Sequence, residues 1–277
     1  MPLIKPLRST LGRIVHRRSL PYTSLPLRPG EASFSDQFLY RGDLAGHRFV
    51  AENTLALLSG EAMPMTHRLS FFDTEGQFLG HQDTPSDRLF TAIDVTDPGA
   101  ELASYIHTTH YEPDILHAFS AAHPTASNLR RLHRGYALYR RSGHSVYAAV
   151  HGNVGGIRLA GWGPAGRTRH LARRRGWHLY TPQIRFAPDQ KVSLYLLNPC
   201  RQREQITVLH ATPSGQAVST SELPVLSQLA VPGRGLRCCR LEGISGYVTL
   251  RSRLPMCRPL IFIEADGHPD HFDVFHT

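Results

Sequence analysis

Acidic side chains are missing from long stretches of this chain. Residues 115 to 188 hold twelve Arg and no Asp or Glu, and the first 30 residues hold six Lys or Arg and no acid. The acid-free middle carries +12 against +9 for the whole chain, so everything else sums to −3. Lysine is almost absent too, with only Lys5 and Lys191. That bias explains why Arg stands in place of Lys. It leaves the missing acids unexplained.

Other absences narrow the class. No apolar run approaches the ~18 residues a transmembrane helix needs. The N-terminal "MPLIKPLRSTLGRIVHRRSLPYTS" breaks its apolar residues with Pro and Arg, so it lacks the core of a secretory signal. Residues 1–30 are expected to be a basic, disordered arm, with peripheral membrane contact through a short surface helix as the alternative. The four cysteines, Cys200, Cys238, Cys239 and Cys257, form no C-x-x-C pair. A disulfide-stapled secreted scaffold is therefore excluded, and reduced thiols in the cytoplasm are expected. On a strand, Cys238 and Cys239 would face opposite sides and could not chelate a metal together. Hydrophobic content of 41% and charged content of 19% suit a globular chain, long enough for one large domain or two ordinary ones.

What the chain does contain is repetition. "SYIHTTHYEPDILHAF" (104–119) and "GYVTLRSRLPMCRPLIF" (246–262) each carry a Tyr followed at the same spacing by a Pro: Tyr105 with Pro113, Tyr247 with Pro255. Four more pairs follow at a near-constant offset. They are "FLYRGDLAGHRF" with "HLYTPQIRF", "TLALLS" with "SLYLLN", "RLSFFDTEGQFL" with "QITVLHATPSGQAV", and "RLFTAIDV" with "VLSQLAV". The runs are short, rich in Leu, Val, Ile, Phe and Tyr, and separated by turns such as "DPG" and "VPGRG", which is the pattern of strands. The expected fold is all-β, with two tandem β-sandwich domains related by internal duplication. The copies are placed at 31–123 and 177–277, joined by an Arg-rich segment at 124–176 that holds a short helix or hairpin. Pro113 and Pro255 are expected at an edge, a bulge or a break between strands.

Leu197-Asn198, Val231-Pro232 and Ser252-Arg253-Leu254-Pro255 occur in an order that resembles the β-sandwich of sensory-rhodopsin-transducer-type proteins. The first copy departs from it, with Ser59 where Asn198 stands. The resemblance implies a sandwich fold and a non-catalytic adaptor role. It transfers no site residues.

The acid-free segment points to an anion site. Guanidinium groups bind phosphate, sulfate or carboxylate bidentately, and aromatics among them can stack on bases or sugars. The candidate ligand-binding residues are Arg130, Arg131, Arg134, Arg140, Arg141, Arg167, Arg169, Arg173, Arg174, Arg175 and Trp177. The partner is then an anionic ligand (a polysaccharide, a phospholipid or a nucleic acid) or an acidic protein surface. No zinc-finger or RRM signature favours nucleic acid within that set.

A metal reading rests on "HTTHYEPD", with His107, His110 and Glu112 as candidate ligands, although on a strand His107 and His110 face opposite sides. The tail "HPDHFDVFHT" offers His268, Asp270, His271, Asp273 and His276 as a second set. "HGNVGG" reads as a tight turn. No G-x-S-x-G elbow or P-loop is present, and Arg41-Gly42-Asp43 is taken as a chance tripeptide. No cofactor is implied. The expected function is a non-catalytic binding or adaptor protein. The alternatives are a metal-dependent enzyme using a His cluster and a structural homo-oligomer pairing through sheet edges.

Overall fold

The computed structural model describes residues 17–19, 31–122, 135–152, 156–157, 172–174, 178–182, 184–198, 203–211, 223–252, 259–265 and 268–276. Alternating apolar runs form strands over most of this length. In chain order they begin with β1 (Arg17–Ser19), β2 (Glu31–Arg41) and β3 (Gly46–Glu52), then a short helix α1 (Thr54–Ser59). Next come β4 (Met65–Phe72), β5 (Phe78–Ser86), β6 (Phe90–Asp94), β7 (Leu102–His110) and helix α2 (Pro113–Ala122). The middle holds β8 (Tyr136–Arg140), β9 (Ala148–His151), β10 (Gly156–Ile157) and β11 (Ala172–Arg174). The last third holds β12 (His178–Tyr180), β13 (Gln190–Leu197), β14 (Glu204–Ala211) and β15 (Val225–Val231). It ends with β16 (Leu236–Leu241), β17 (Tyr247–Ser252), β18 (Leu260–Ala265) and β19 (His268–His276).

Apart from a ribbon of β1 with β11, these strands make four sheets. Their orders are β10-β2-β7-β4-β5, β6-β3-β8-β9, β12-β17-β14-β15 and β16-β13-β18-β19. The chain is all-β, but the two tandem β-sandwiches expected from the sequence are not its architecture. The four small sheets stand as the four blades of a β-propeller.

The core explains the difference. The sheet built on β13 is buried on both faces. Val192, Leu194 and Leu196 pack with Ile206, Val208 and Leu250 of the sheet before it. Tyr195 and Leu197, with Phe262, pack into one cluster with Phe38, Tyr40, Phe49 and Tyr139 of the first half. An apolar cluster that crosses from one half to the other leaves no place for two self-contained domains. A strand apolar on both faces, such as "QKVSLYLL", cannot show in sequence which neighbour each face meets.

Connectivity does recur. The order β2-β7-β4-β5 is matched by β12-β17-β14-β15, and β6-β3-β8-β9 by β16-β13-β18-β19. Two of the sequence pairings fall out of this register. "TLALLS" is helix α1, whereas "SLYLLN" lies in β13 and Asn198. β15 takes the place of β5 in the recurring order, and "RLFTAIDV" contains β6 instead. The helix forms because Asn53 accepts a hydrogen bond from the Ala56 N–H and Gly60 closes the end at φ 80°, a left-handed position suited to Gly. Pro113 opens α2, where a missing N–H costs nothing; Pro255 lies outside the described residues. Strands β8 and β9, from the segment read as a connector, complete the sheet built on β3.

Candidate functional site

Strand β3 runs down the middle of its sheet, paired with β6 and β8. Its alternation sends His47 and Phe49 inward and leaves Arg48 on the outer face. β8 does the same, with Ala137 and Tyr139 buried and Arg140 outward. The register sets Gly46 opposite Arg140. The Arg140 side chain lies over this glycine, and a Cβ there would stand 3.0 Å from both Arg140 Nε and the Tyr147 hydroxyl.

Two guanidinium groups therefore meet one ring. The carbons of the Arg48 and Arg140 guanidiniums each lie 5.4 Å from the centre of Tyr147, within cation–π range. Arg48 also donates from Nε to Asp94 at 2.5 Å. Arg140 has no such carboxylate among the described residues. Its Nη2 donates weakly to the Ala45 carbonyl at 3.4 Å, and its buried Nε has no hydrogen-bond partner among the described residues. Arg141 follows at the start of the β8–β9 turn, half-buried and without an ion pair among the described residues. Chemically this is a cationic face with one satisfied and one unsatisfied guanidinium.

The other arginines named from the sequence divide into two groups. Arg130, Arg131, Arg134, Arg167, Arg169, Arg175 and Trp177 lie outside the described residues. Arg173 and Arg174 lie in β11, whose antiparallel register sets Arg17 opposite Arg174 and Arg18 opposite Arg173. The basic N-terminal arm and the acid-free segment thus meet as one ribbon.

His107, His110 and Glu112, named for a metal, do not gather. His107 is buried in the core, its Nε2 3.0 Å from His67 Nδ1 and its ring 4.9 Å from Phe49. His110 pairs instead with Thr108 at 3.0 Å, and Glu112 is exposed before α2. Of the tail set, His268, Asp270, His271, Asp273 and His276 are spread along β19, where Asp273 is exposed. Among the described residues no group of three His, Cys, Asp or Glu is placed to hold a metal ion. Cys239 packs into one apolar cluster and Cys238 against the other, on opposite faces of β16.

Sequence reading missed Arg48, Gly46 and Tyr147. Tyr147 lies immediately before β9, and Arg48 reaches it only through the β3–β8 pairing. Among the described residues no helix is long and apolar enough to cross a membrane. Compared with known proteins, the chain matches no family model and no curated sequence.

Proposed function

We propose that this is a non-catalytic binding protein that engages an anionic ligand or an acidic partner surface through its arginines. The observation that carries the reading is Arg140. It is stacked on Tyr147 and held over Gly46, and it has no carboxylate among the described residues. A guanidinium fixed by packing has already surrendered most of its freedom and loses little more on binding, and its planar donors suit phosphate, sulfate or carboxylate. The sequence adds support, since residues 1–30 and 115–188 together hold eighteen Lys or Arg and no acid, an excess of positive charge that an anionic partner would neutralise.

The test uses the full chain and a sulfated oligosaccharide (a heparin fragment) as probe, titrated at several salt concentrations. Binding should weaken steeply with salt, as counterion release requires. Arg140→Gln with Arg141→Gln should lower the affinity about tenfold and reduce the salt slope. Affinity unchanged in the double variant would remove Arg140 from the site, and salt-independent binding would remove the anion reading itself.

A further inference from the structure

A second, chemically different site lies where the ends of β2 and β7 meet the sheet built on β13. It is a cleft of about 730 Å³, within the range of small-molecule sites. Its lining includes Arg41, Asp43, Asp97, Glu101, Tyr195 and Arg240.

Arg41 forms the floor. Its side chain is only 11% exposed. Nε donates to Asp43 at 2.9 Å, and Nη2 reaches the other Asp43 oxygen and lies 3.7 Å from Glu264. The guanidinium is clamped over Phe262 at 4.8 Å and Tyr195 at 5.6 Å. These contacts use Nε and Nη2 and leave the two N–H groups of Nη1 without an acceptor among the described residues.

The two walls carry opposite charge. The first half supplies Asp97, which accepts the Gly99 N–H at 2.8 Å, and Glu101, which is exposed and forms no ion pair among the described residues. The second half supplies Arg240, exposed and likewise in no ion pair within 4 Å among the described residues. Tyr40 and Tyr195 are each 7% exposed, so neither offers a ring face on which a sugar could stack. A ligand with charge of one sign would leave one wall desolvated and unpaired, at a cost.

We propose that the cleft binds a small zwitterion, a free amino acid or short peptide. Its carboxylate lies on Arg240 and the Nη1 groups of Arg41, and its ammonium lies against Asp97 and Glu101. Bidentate guanidinium–carboxylate pairing then fixes the orientation, and the acidic wall selects the amine end. The argument uses neither Arg48 nor Arg140, so it stands or falls apart from the anion-binding reading.

Triglycine is the probe, because its only charges are its termini, and calorimetric titration into the full chain is the measurement. Triglycine should bind, with N-acetyl-triglycine and triglycine amide each weaker by about tenfold or more, since each loses a charge-assisted pairing. Arg240→Gln should shrink the preference for triglycine over its amide, with Arg41 left to hold the carboxylate. Glu101→Gln should likewise shrink the preference over the acetylated form, with Asp97 left to face the ammonium. Both side chains are exposed, so an unchanged melting temperature will show that the variants are folded. Failure of all three probes to bind at millimolar concentration would overturn the proposal, as would equal binding of the blocked forms or preferences left undiminished by both substitutions.

Discussion

Gly76 lies so close to Gly233 that a Cβ at position 76 would stand 2.0 Å from the Gly233 carbonyl oxygen. The β4–β5 turn of the first half and the β15–β16 turn of the second are pressed together at this point. The Thr74 carbonyl accepts the Leu236 N–H and Arg237 Nη1, both at 3.0 Å, and Arg237 pairs with Glu75 at 2.7 Å. The Gln37 amide and the Ser104 hydroxyl both donate to the Arg234 carbonyl. Gly76→Ala must therefore accept a left-handed φ of +83° and push two backbones apart. Gly99 has nearly the same φ, +81°, with nothing within 4 Å of the added carbon. In urea denaturation Gly99→Ala should cost about 1 kcal/mol from conformation alone. Gly76→Ala should cost more, roughly 3 kcal/mol in all. Equal losses would mean that the turn-to-turn contact does not hold the halves together.

His47 makes the protein sensitive to acid. Its ring is buried between Tyr40 and Tyr139 and lies 3.1 Å from the Tyr105 hydroxyl. Burial alone pushes its pKa down to about 3 from an ordinary 6.5. The unfolded chain therefore takes up a proton between those values that the folded chain refuses. Stability from this residue is complete above pH 6.5 and falls as the pH drops toward 3, by about 1.4 kcal/mol per unit. His47→Gln lowers stability overall but should flatten the pH dependence by close to one proton over that window. A slope unchanged in the variant would assign the acid sensitivity elsewhere.

The strands were the most readable feature, because "HRLSFF" and "QITVLH" are short apolar runs closed by turn signals, and both segments form strands, in β4 and β14. Helix α1 was misread as strand through its likeness to "SLYLLN", although Asn53 and Gly60 bracket it as helix caps. The stacking of sheets was not readable at all, since "LYLL" is apolar whichever neighbour it meets. At the arginine face the missing acids marked Arg140 and Arg141. Arg48, Tyr147 and Gly46 come together only through strand register. Arg41-Gly42-Asp43 passed for a chance tripeptide because Glu264 and Phe262, which give Arg41 its setting, lie at the far end of the chain.

Tyr111 ties α1 to α2. Its hydroxyl donates to Asn53 Oδ1 at 2.7 Å and accepts the buried Leu55 N–H at 3.2 Å, while its ring packs with Leu55, Met65, Leu116 and Phe119. Tyr111→Phe keeps the packing and removes only the oxygen. It leaves the Leu55 N–H unsatisfied in the core and should cost about 1–3 kcal/mol. The loss should be local, read as faster hydrogen exchange at Leu55 and Ala56. Exchange that stays as slow as in the parent would show that the Asn53 cap suffices by itself.

Arg41 sets the charge state of its surroundings. Its hydrogen bonds to Asp43 hold that carboxyl below the ordinary carboxylate value against the opposing effect of burial. The stability linked to Asp43 is present above its unfolded pKa and is lost as the pH falls through the depressed folded one. In Arg41→Gln the largest lowering influence goes while burial remains, so the Asp43 carboxyl should titrate higher than in the parent in a carbon-detected NMR titration. The same change uncovers Phe262 and leaves Glu264 without its cation, which should lower stability by roughly 1–2 kcal/mol. An Asp43 titration that does not move would show that Arg41 is not its partner in solution, and the floor of the cleft would lose the fixed guanidinium on which zwitterion binding depends.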